Sequence, residues 1–379
     1  MQLNRLKLVN FRNYKDAEVG ALKRAVILVG NNAQGKTNFL EAVYILAITK
    51  SFRLRSDLGL LGPEAEFARI EARFESRKKD SQLEVIIKKG PKGRGSCQKI
   101  IKLDGLLAPA RAILGAFLAV LFCPEDINLI KTVPSGRRRF LDILGCQISS
   151  DYCEKLVEYN KIVKNRNQVL LRIKQGVGSL SELVFWNNEL VDKGSFIVKF
   201  RRNILRRLDV LARQYYNRIS GEALSKKQGL NLHYLSSFHL KQGTDEEGIK
   251  LRFRGELLKK QKSEVDRQQT FIGPHRDDFN FLLDKRNVIY QASRGEFRTA
   301  ILSLKLAELD FLEEELSERP ILLLDDVFSE LDAQRQKRIA TLLERQQTFI
   351  TTTDLSHIAP VLKRQALILR IKSGRAKEA

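Results

Sequence analysis

Cysteine is scarce in this chain of 379 residues, and the cysteines present are not spaced like metal ligands. There are four, none in C-x-x-C spacing, which argues against a zinc site and favours a reducing compartment. Long apolar runs are also missing, since the stretch from Ala108 to Cys123 is too short to span a bilayer. The first residues enter a strand-like alternation and lack the apolar core of a signal peptide. We therefore expect a cytosolic protein.

Acidic residues are outnumbered, with 45 Asp and Glu against 67 Lys and Arg, so the formal net charge is +22. Such an excess indicates a polyanionic partner, either nucleic acid or an anionic membrane surface. No segment combines a basic face with a wide apolar face, as a membrane-surface helix would. We therefore expect a nucleic-acid partner and no membrane.

A phosphate-binding loop is predicted after the apolar run Ala25–Val29, which is typical of a buried strand. Residues 30–37 fit G-x-x-x-x-G-K-[ST], and the amphipathic segment Asn38–Ile48 predicts a helix directly after them. Glycines let successive N–H groups surround a phosphate, and the helix N-terminus adds partial positive charge. Lys36 can reach the outer phosphates, and the Thr37 hydroxyl can bind Mg²⁺. The candidate nucleotide-binding residues are Gly30, Asn31, Asn32, Ala33, Gln34, Gly35, Lys36 and Thr37.

A second apolar strand, Ile321–Leu324, is followed by two carboxylates. We expect Asp325 to hold Mg²⁺ opposite Thr37, and Asp326 to orient or deprotonate the attacking water. Taken alone, the two aspartates could equally cap the next helix. A phosphate loop elsewhere in the chain favours the role in binding Mg²⁺ and activating water. The two halves of this site lie near opposite ends of the sequence, which suits an ATPase head split by an insertion.

The insertion is helical and charged from about Ser135 to Ile219, and its two apolar patterns predict helices packed as an antiparallel arm. The patterns do not hold a heptad over many turns, so a long coiled coil is not expected. The predicted domains are 1–124 (first part of the head), 125–265 (inserted helical arm) and 266–379 (second part of the head).

Ser293 and Gly295 precede a strongly helical segment, so Ser293 and the first N–H groups of that helix could form an anion site. Ser-x-Gly, then a strand ending in Asp-Asp, then residues 329–332 resemble the signature, Walker B and D-loop series of ABC-type ATPase heads. The expected fold is α/β, an ABC-type P-loop ATPase head with an inserted, mainly helical arm. The resemblance implies that Ser293 contacts the γ-phosphate of ATP held by the opposite subunit; an ordinary helix cap is the alternative.

Further stretches narrow the resemblance to one family. The sequence FIGPHRDDF, residues 271–279, is similar to a hallmark of the RecF family. So are residues 122–126 with 136–142, and the stretches at 159–171, 10–14 and 49–53. The chain is identified as a member of the RecF family. His275 beside two aspartates does not predict a transition metal, and we expect a structured loop near the dimer or nucleotide interface.

Membership implies a bacterial recombination-mediator ATPase that binds ATP and Mg²⁺ and forms an ATP-dependent homodimer. It implies DNA binding at single-strand gaps or ss/ds junctions, and work with RecO and RecR to load recombinase. A weak, DNA-stimulated ATPase would time dimerisation and release. Glu296 replaces the Gln expected from the family's signature, a change that either weakens contact with the nucleotide or is neutral. Thr353 stands where transporter heads carry a switch histidine, which suggests slow hydrolysis.

DNA contacts are expected on the arm, where salt-dependent and mostly sequence-independent binding to phosphates would follow from its charge. A solvated helix face is the alternative for any one charge run. The candidates are Arg137, Arg138, Arg139, Lys161, Lys164, Arg201 and Arg202. Two other functions stay open: a transporter ATPase subunit, which should carry a switch histidine, and an SMC-like structural clamp, which should carry long heptad arms.

Overall fold

The chain folds into two compact units, and the polypeptide passes between them more than once. The computed structural model describes residues 1–54, 56–77, 79–90, 96–127, 129, 133–221, 229–328 and 333–378. We call the unit formed by Met1–Ile127, Gln214–Ala223 and Arg294–Ala379 the head. We call the unit formed by Asn128–Arg213 and Leu224–Ser293 the arm.

The strands in chain order are β1 (Gln2–Phe11), β2 (Tyr14–Val19), β3 (Ala25–Val29), β4 (Phe67–Glu75), β5 (Asp80–Lys89), β6 (Cys97–Leu103), β7 (Leu106–Leu107), β8 (Ala119–Phe122), β9 (Leu230–Leu235), β10 (Asp278–Leu283), β11 (Arg286–Asn287), β12 (Ile321–Asp325), β13 (Thr348–Thr352), β14 (Leu367–Lys372) and β15 (Arg375–Glu378). The helices are α1 (Lys36–Ile48), α2 (Ala110–Ile113), α3 (Pro134–Ile148), α4 (Ser150–Lys174), α5 (Leu180–Ser220), α6 (Glu246–Arg267), α7 (Val288–Gln291), α8 (Arg294–Leu316), α9 (Ala333–Leu342) and α10 (Pro360–Gln365).

One sheet of the head has the order β15-β14-β3-β13-β12-β8, parallel except for β15 at its edge. Its central strands β3, β13 and β12 are largely buried, as expected for parallel strands covered on both faces, and β3 and β12 are also almost wholly apolar. In register, Asp325 pairs with Thr351, and Thr352 pairs with Val29. The carboxyl ends of β3, β12 and β13 therefore lie side by side, which brings the two predicted halves of the site together.

The second sheet of the head is antiparallel, with the order β2-β1-β4-β5-β6-β7. Helix α1 contacts β4 and β5 of this sheet as well as β8, β12 and β13 of the parallel sheet. Because both sides are covered, α1 is buried from Phe39 to Val43 and again from Ile45 to Ile48. The predicted α/β class is confirmed.

The arm is mainly helical and carries a three-stranded sheet of order β11-β10-β9. Helices α4 and α5 are joined by a short turn in which Gly176 has a φ of 75°. Arg172 near the end of α4 pairs with Glu182 near the start of α5, and Glu158 earlier in α4 pairs with Lys193 later in α5. The two helices are therefore antiparallel. Their shared core includes Tyr159, Leu190 and Ile197, together with side chains from α6.

The compact units differ from the predicted domain limits of 1–124, 125–265 and 266–379. Residues 266–293 lie in the arm because β10 pairs with β9 of that unit. Residues 214–223 lie in the head, where the Tyr215 hydroxyl donates to Asp310 on α8. Charge and helical periodicity could not reveal where these two segments belong, since each assignment depends on contacts between segments that are distant in the sequence. The predicted D-loop, 329–332, lies outside the described residues.

Over the described part of the chain, no helix has both the length and the apolarity that a bilayer crossing requires.

Candidate nucleotide site and candidate nucleic-acid interface

The glycine-rich loop leaves β3 and enters α1 through two positions that require glycine. Gly35 has a φ of 116°, and a Cβ there would lie 2.8 Å from the side-chain nitrogen of Asn13. A Cβ on Gly30 would overlap the carbonyl oxygen of Ile371. The loop is thus confined by the Asn13 side chain at Gly35 and by the Ile371 backbone at Gly30, which explains why the glycines stand at these two places.

Lys36 is folded back over the loop that precedes it. Its Nζ donates to the carbonyl oxygens of Gly30 at 2.6 Å and Asn31 at 2.8 Å. Burial lowers the pKa of Lys36, while the nearby carboxylates of Asp326 and Asp325 act to raise that pKa. The loop therefore holds a cation at its centre, as a phosphate site requires.

Three elements meet at the carboxylate of Asp325. The Thr37 hydroxyl on α1 donates to Asp325 Oδ1 at 3.0 Å, and the Thr351 hydroxyl on β13 donates to the same oxygen at 2.6 Å. Burial raises the pKa of Asp325, these two hydrogen bonds oppose the rise, and Glu125 and Asp326 add to it. A buried carboxylate with a raised pKa, beside a hydroxyl, is an oxygen donor set suited to a hard divalent cation.

Asp326 turns the chain away from the sheet in a left-handed conformation, with a φ of 52°. Its backbone N–H donates to the Thr351 hydroxyl at 2.9 Å, so Thr351 contacts both aspartates. A non-glycine residue at positive φ is uncommon, and the Thr351 contact holds it in place.

A cavity of about 430 Å³ brings most of the predicted site residues together. The predicted residues that line it are Asn32, Ala33, Gly35, Lys36, Thr37, Asp325 and Asp326. Gly30 and Asn31 supply the carbonyls that hold Lys36, and the side-chain amide oxygen of Gln34 accepts from the backbone N–H of Ser373. The two halves of the site thus form one pocket within the head.

Arg53 and Thr351 also line this cavity, and sequence reasoning missed their roles. Arg53 is exposed, and its Nη1 donates to Asn38 Oδ1 at 3.3 Å. Its turn is fixed by Ser51, whose hydroxyl accepts from the N–H of Arg53 at 2.9 Å and donates to the buried carboxylate of Glu41. The sequence signal for Arg53 is its place shortly after the P-loop helix, within the stretch 49–53.

The predicted signature residues lie at the start of α8. Ser293 is exposed and Gly295 is half-buried, and a Cβ on Gly295 would lie 2.9 Å from Arg335 Nη1. The roles expected for Ser293 and Gly295 concern nucleotide held by a second subunit, and they stay predictions.

Two of the predicted DNA-contacting arginines are buried in the arm, and as phosphate contacts they were wrong. Arg137 donates through Nε and Nη2 to both carboxylate oxygens of Asp278, at 2.7 and 2.8 Å. Arg201 donates to both oxygens of Asp142 and, at 2.6 Å, to the carbonyl of Pro274. Only 4% and 3% of their respective surfaces are exposed, so neither guanidinium is available to DNA.

The other arm candidates divide by exposure. Arg138 donates to the carbonyl of Asp277 at 2.8 Å, and Arg202 donates to the carbonyl of Lys241 at 2.9 Å, so both partly serve the arm itself. The three that are exposed are Arg139, Lys161 and Lys164. Lys161 and Lys164 are three residues apart on α4 and therefore share a helix face. These three stay candidates for phosphate contact.

The stretch 273–278 is mostly buried in the arm, although Arg276 within it is exposed. His275 Nε2 lies 3.1 Å from the carbonyl of Thr270, which can only accept, so Nε2 carries the proton. Its Nδ1 then accepts from the Tyr159 hydroxyl at 2.7 Å. Burial lowers the pKa of His275 to about 4, which keeps the ring neutral. Asp277 accepts from the Tyr234 hydroxyl and from the N–H of Ser237, each at 2.7 Å.

The chain matches a family model and curated relatives along nearly its whole length. The family model described as RecF/RecN/SMC N terminal domain matches residues 2–375. A DNA replication and repair protein RecF from Streptococcus gordonii is 39% identical over 100% of both chains. Another RecF, from Exiguobacterium sp., is 37% identical over 99% of this chain and 98% of its own.

Solved structures agree with the sequence comparisons. A structure of the recombination mediator protein RecF with ATP, in the RecFOR pathway, has a TM-score of 0.89 and 34% identity, covering 100% of this chain and 97% of that one. The Smc head domain of Pyrococcus furiosus has a TM-score of 0.53 and 17% identity, covering 100% of this chain and 96% of that one, and shows the fold alone. The predicted ATPase-head fold is thus confirmed. Matched from end to end at this level of identity, the chain belongs to the RecF family.

Proposed function

We propose that this protein binds ATP and, in response, binds DNA at single-strand gaps or ss/ds junctions during recombinational repair and replication restart. The observation that carries the proposal is the meeting of Thr37, Asp325 and Thr351 beside a glycine-rich loop that holds Lys36. P-loop ATPases use hydroxyl, carboxylate and ammonium groups in such an arrangement to bind nucleotide phosphates and their metal ion. A RecF relative solved with ATP supports the same assignment.

The site residues take the following roles. The loop N–H groups and Lys36 bind the phosphates, and Arg53, which lines the same cavity, adds a second cation. Thr37 and Asp325 fit Mg²⁺, because their oxygens lie 3.0 Å apart and a cation would offset the cost of burying the carboxylate. When bound, Mg²⁺ supplies charge neutralisation at the phosphates. Asp326 orients the attacking water.

Hydrolysis acts as a switch in this proposal. Ser293 and Gly295 contact ATP held by a second copy of the chain, so that ATP drives formation of a homodimer. The weak, DNA-stimulated ATPase then times the release of that dimer. Thr353 stands at the position where transporter-type ABC heads carry a switch histidine, which is consistent with slow turnover.

The partners follow from charge and from the relatives. The net charge of +22 favours a nucleic acid, and Arg139, Lys161 and Lys164 are the exposed members of the predicted contact set. A RecF relative is described as a mediator in the RecFOR pathway, so we propose that this chain works with RecO and RecR to load recombinase. The cytosolic location stays a prediction.

The test is binding to a gapped duplex, measured by fluorescence anisotropy with and without ATP and Mg²⁺ across a salt series. We expect tighter binding with ATP and a steep loss of affinity as salt rises, because phosphate contacts release counterions. Lys36→Ala should remove the ATP effect and also the ATP-induced dimer seen by sedimentation.

Lys23→Ala is the matched control, since it removes the same charge from an exposed residue before the opposite end of β3. It should behave like the unaltered protein. DNA binding that is equally tight without nucleotide, or a Lys36→Ala protein that still dimerises with ATP, would contradict the proposal.

A further inference from the structure

The turn between β14 and β15 contacts the P-loop through backbone groups. The N–H of Ser373 donates to the side-chain oxygen of Gln34 at 2.8 Å, and the N–H of Gly374 donates to the Gln34 carbonyl at 3.0 Å. Gln34 belongs to the glycine-rich loop but does not line the cavity. Its side-chain oxygen and its carbonyl oxygen instead accept hydrogen bonds from the hairpin. The loop is thus tied to a hairpin more than 330 positions away in the chain.

A second turn, between β1 and β2, completes this arrangement. The side-chain amide of Asn13 donates to the same Gln34 carbonyl at 2.9 Å. A Cβ on Gly374, which has a φ of 70°, would overlap the backbone oxygen of Asn13. The two turns and the loop therefore fit together without space for one additional carbon atom. We call Asn13, Gln34, Ser373 and Gly374 the latch.

The loop held by the latch is in a conformation that residues with side chains rarely adopt. Ala33 has a φ of 63° and Gly35 has a φ of 116°, on either side of Gln34. Such conformations cost free energy and persist only where the surrounding contacts enforce them. They also orient the loop N–H groups, so a loop that is already in this shape binds phosphate without first having to be ordered.

We propose that the β14–β15 turn positions the P-loop, so that the affinity for ATP depends on Ser373 and Gly374. The inference deepens the proposed function and rests on it, since it concerns the same nucleotide site. Ser373 and Gly374 act as positioning residues: they shape the loop that contacts the phosphates. Because linkage is reciprocal, ATP must in turn stabilise the turn.

The test compares Gly374→Ala with Gly105→Ala. Both glycines lie in hairpin turns of the head, with φ values of 70° and 81°, so alanine is strained in both. Around Gly105, however, nothing lies within 4 Å of the added Cβ. We expect Gly374→Ala to raise the dissociation constant for ATP and the KM of the ATPase by about 10-fold or more, with kcat at saturating ATP unchanged. Gly105→Ala should match the unaltered protein.

Two further measurements keep the proposal falsifiable if Gly374→Ala folds poorly. Gln34→Leu removes the acceptor for Ser373 and should weaken ATP binding in the same direction. In the unaltered protein, ATP should slow hydrogen exchange at the amides of Ser373 and Gly374, and Lys36→Ala should abolish that protection.

Normal ATP binding by the unaltered protein together with normal binding by Gly374→Ala overturns this proposal alone. Unchanged exchange at the turn on addition of ATP overturns it as well. An unaltered protein that binds no ATP refutes the proposed function, and the positioning role with it.

Discussion

Replacing Thr351 by valine should damage ATP hydrolysis without damaging ATP binding. Thr351 donates to Asp325 and accepts from the N–H of Asp326, so valine, which has the same shape, removes both contacts. A hydrogen bond to a charged group contributes about 1.5–3 kcal/mol. Since about 1.4 kcal/mol is a factor of ten, we expect a roughly 10- to 100-fold loss in turnover or in Mg²⁺ affinity.

The pH profile of this variant should change in a defined direction. Burial already raises the pKa of Asp325, and the Thr351 hydrogen bond opposes that rise. Without the donor, the pKa of Asp325 rises further, so the carboxylate is protonated at a higher pH. The acidic limb of the ATPase profile should therefore move to higher pH, and more Mg²⁺ should be needed for half-maximal rate.

Thr352→Val is the matched control on the same strand. Thr352 is also buried, but its hydroxyl donates to the carbonyl of Asp354 and accepts from the N–H of that residue. The assays are ATPase rate against pH and Mg²⁺, and binding of a fluorescent ATP analogue without Mg²⁺. If the two valine variants give the same pH profile and the same Mg²⁺ dependence, the role assigned to Thr351 is refuted.

The arm yields two more predictions. Arg137→Leu should lower the free energy of unfolding by about 3 kcal/mol, because it leaves the half-buried carboxylate of Asp278 without this partner. Replacing Arg139, Lys161 and Lys164 together by alanine should leave stability nearly unchanged and reduce the salt dependence of DNA binding. Urea unfolding and anisotropy titrations distinguish these effects, and equal loss of stability in both proteins would contradict the assignment. His275 has a folded pKa of about 4, below its ordinary value of 6.5, so the unfolded chain binds the proton first. Stability should therefore fall by on the order of 3 kcal/mol as the pH drops from 6.5 to 4, and His275→Gln should remove most of that slope in urea unfolding measured against pH.

The meeting of the predicted residues in the candidate nucleotide site could be expected from the sequence because each half is local. Strand, glycine loop and helix follow one another within 25–48, and the apolar strand Ile321–Leu324 leads directly into its carboxylates. Parallel strands end at the same edge of a sheet, so the meeting of Thr37 with Asp325 follows from the pattern alone. Thr351 could not be found this way, since its role depends on β13 lying beside β12 in one particular register.

The arm arginines show where the same reasoning fails. Arg137 and Arg201 lie in basic runs that look like solvated helix faces, and charge patterns contain no information on burial. Their partners are Asp278 and Asp142, which are 141 and 59 positions away. Only the packing of α3, α5 and β10 brings these charges together, so composition supported DNA binding but could not say which side chains remain free for it.

The stretch 273–278 is easily recognised in the sequence, but the burial of its side chains is not. It carries a histidine, an arginine and two aspartates, a set that could hold a ligand or a metal, yet its groups are used within the arm. Gly273 has a φ of 129° and a Cβ there would overlap the Tyr159 hydroxyl, while the Pro274 carbonyl accepts from Arg201. The polar groups of this run thus serve the folding of the arm. The proposed contact with DNA is therefore assigned to the exposed Arg139, Lys161 and Lys164 and not to this run.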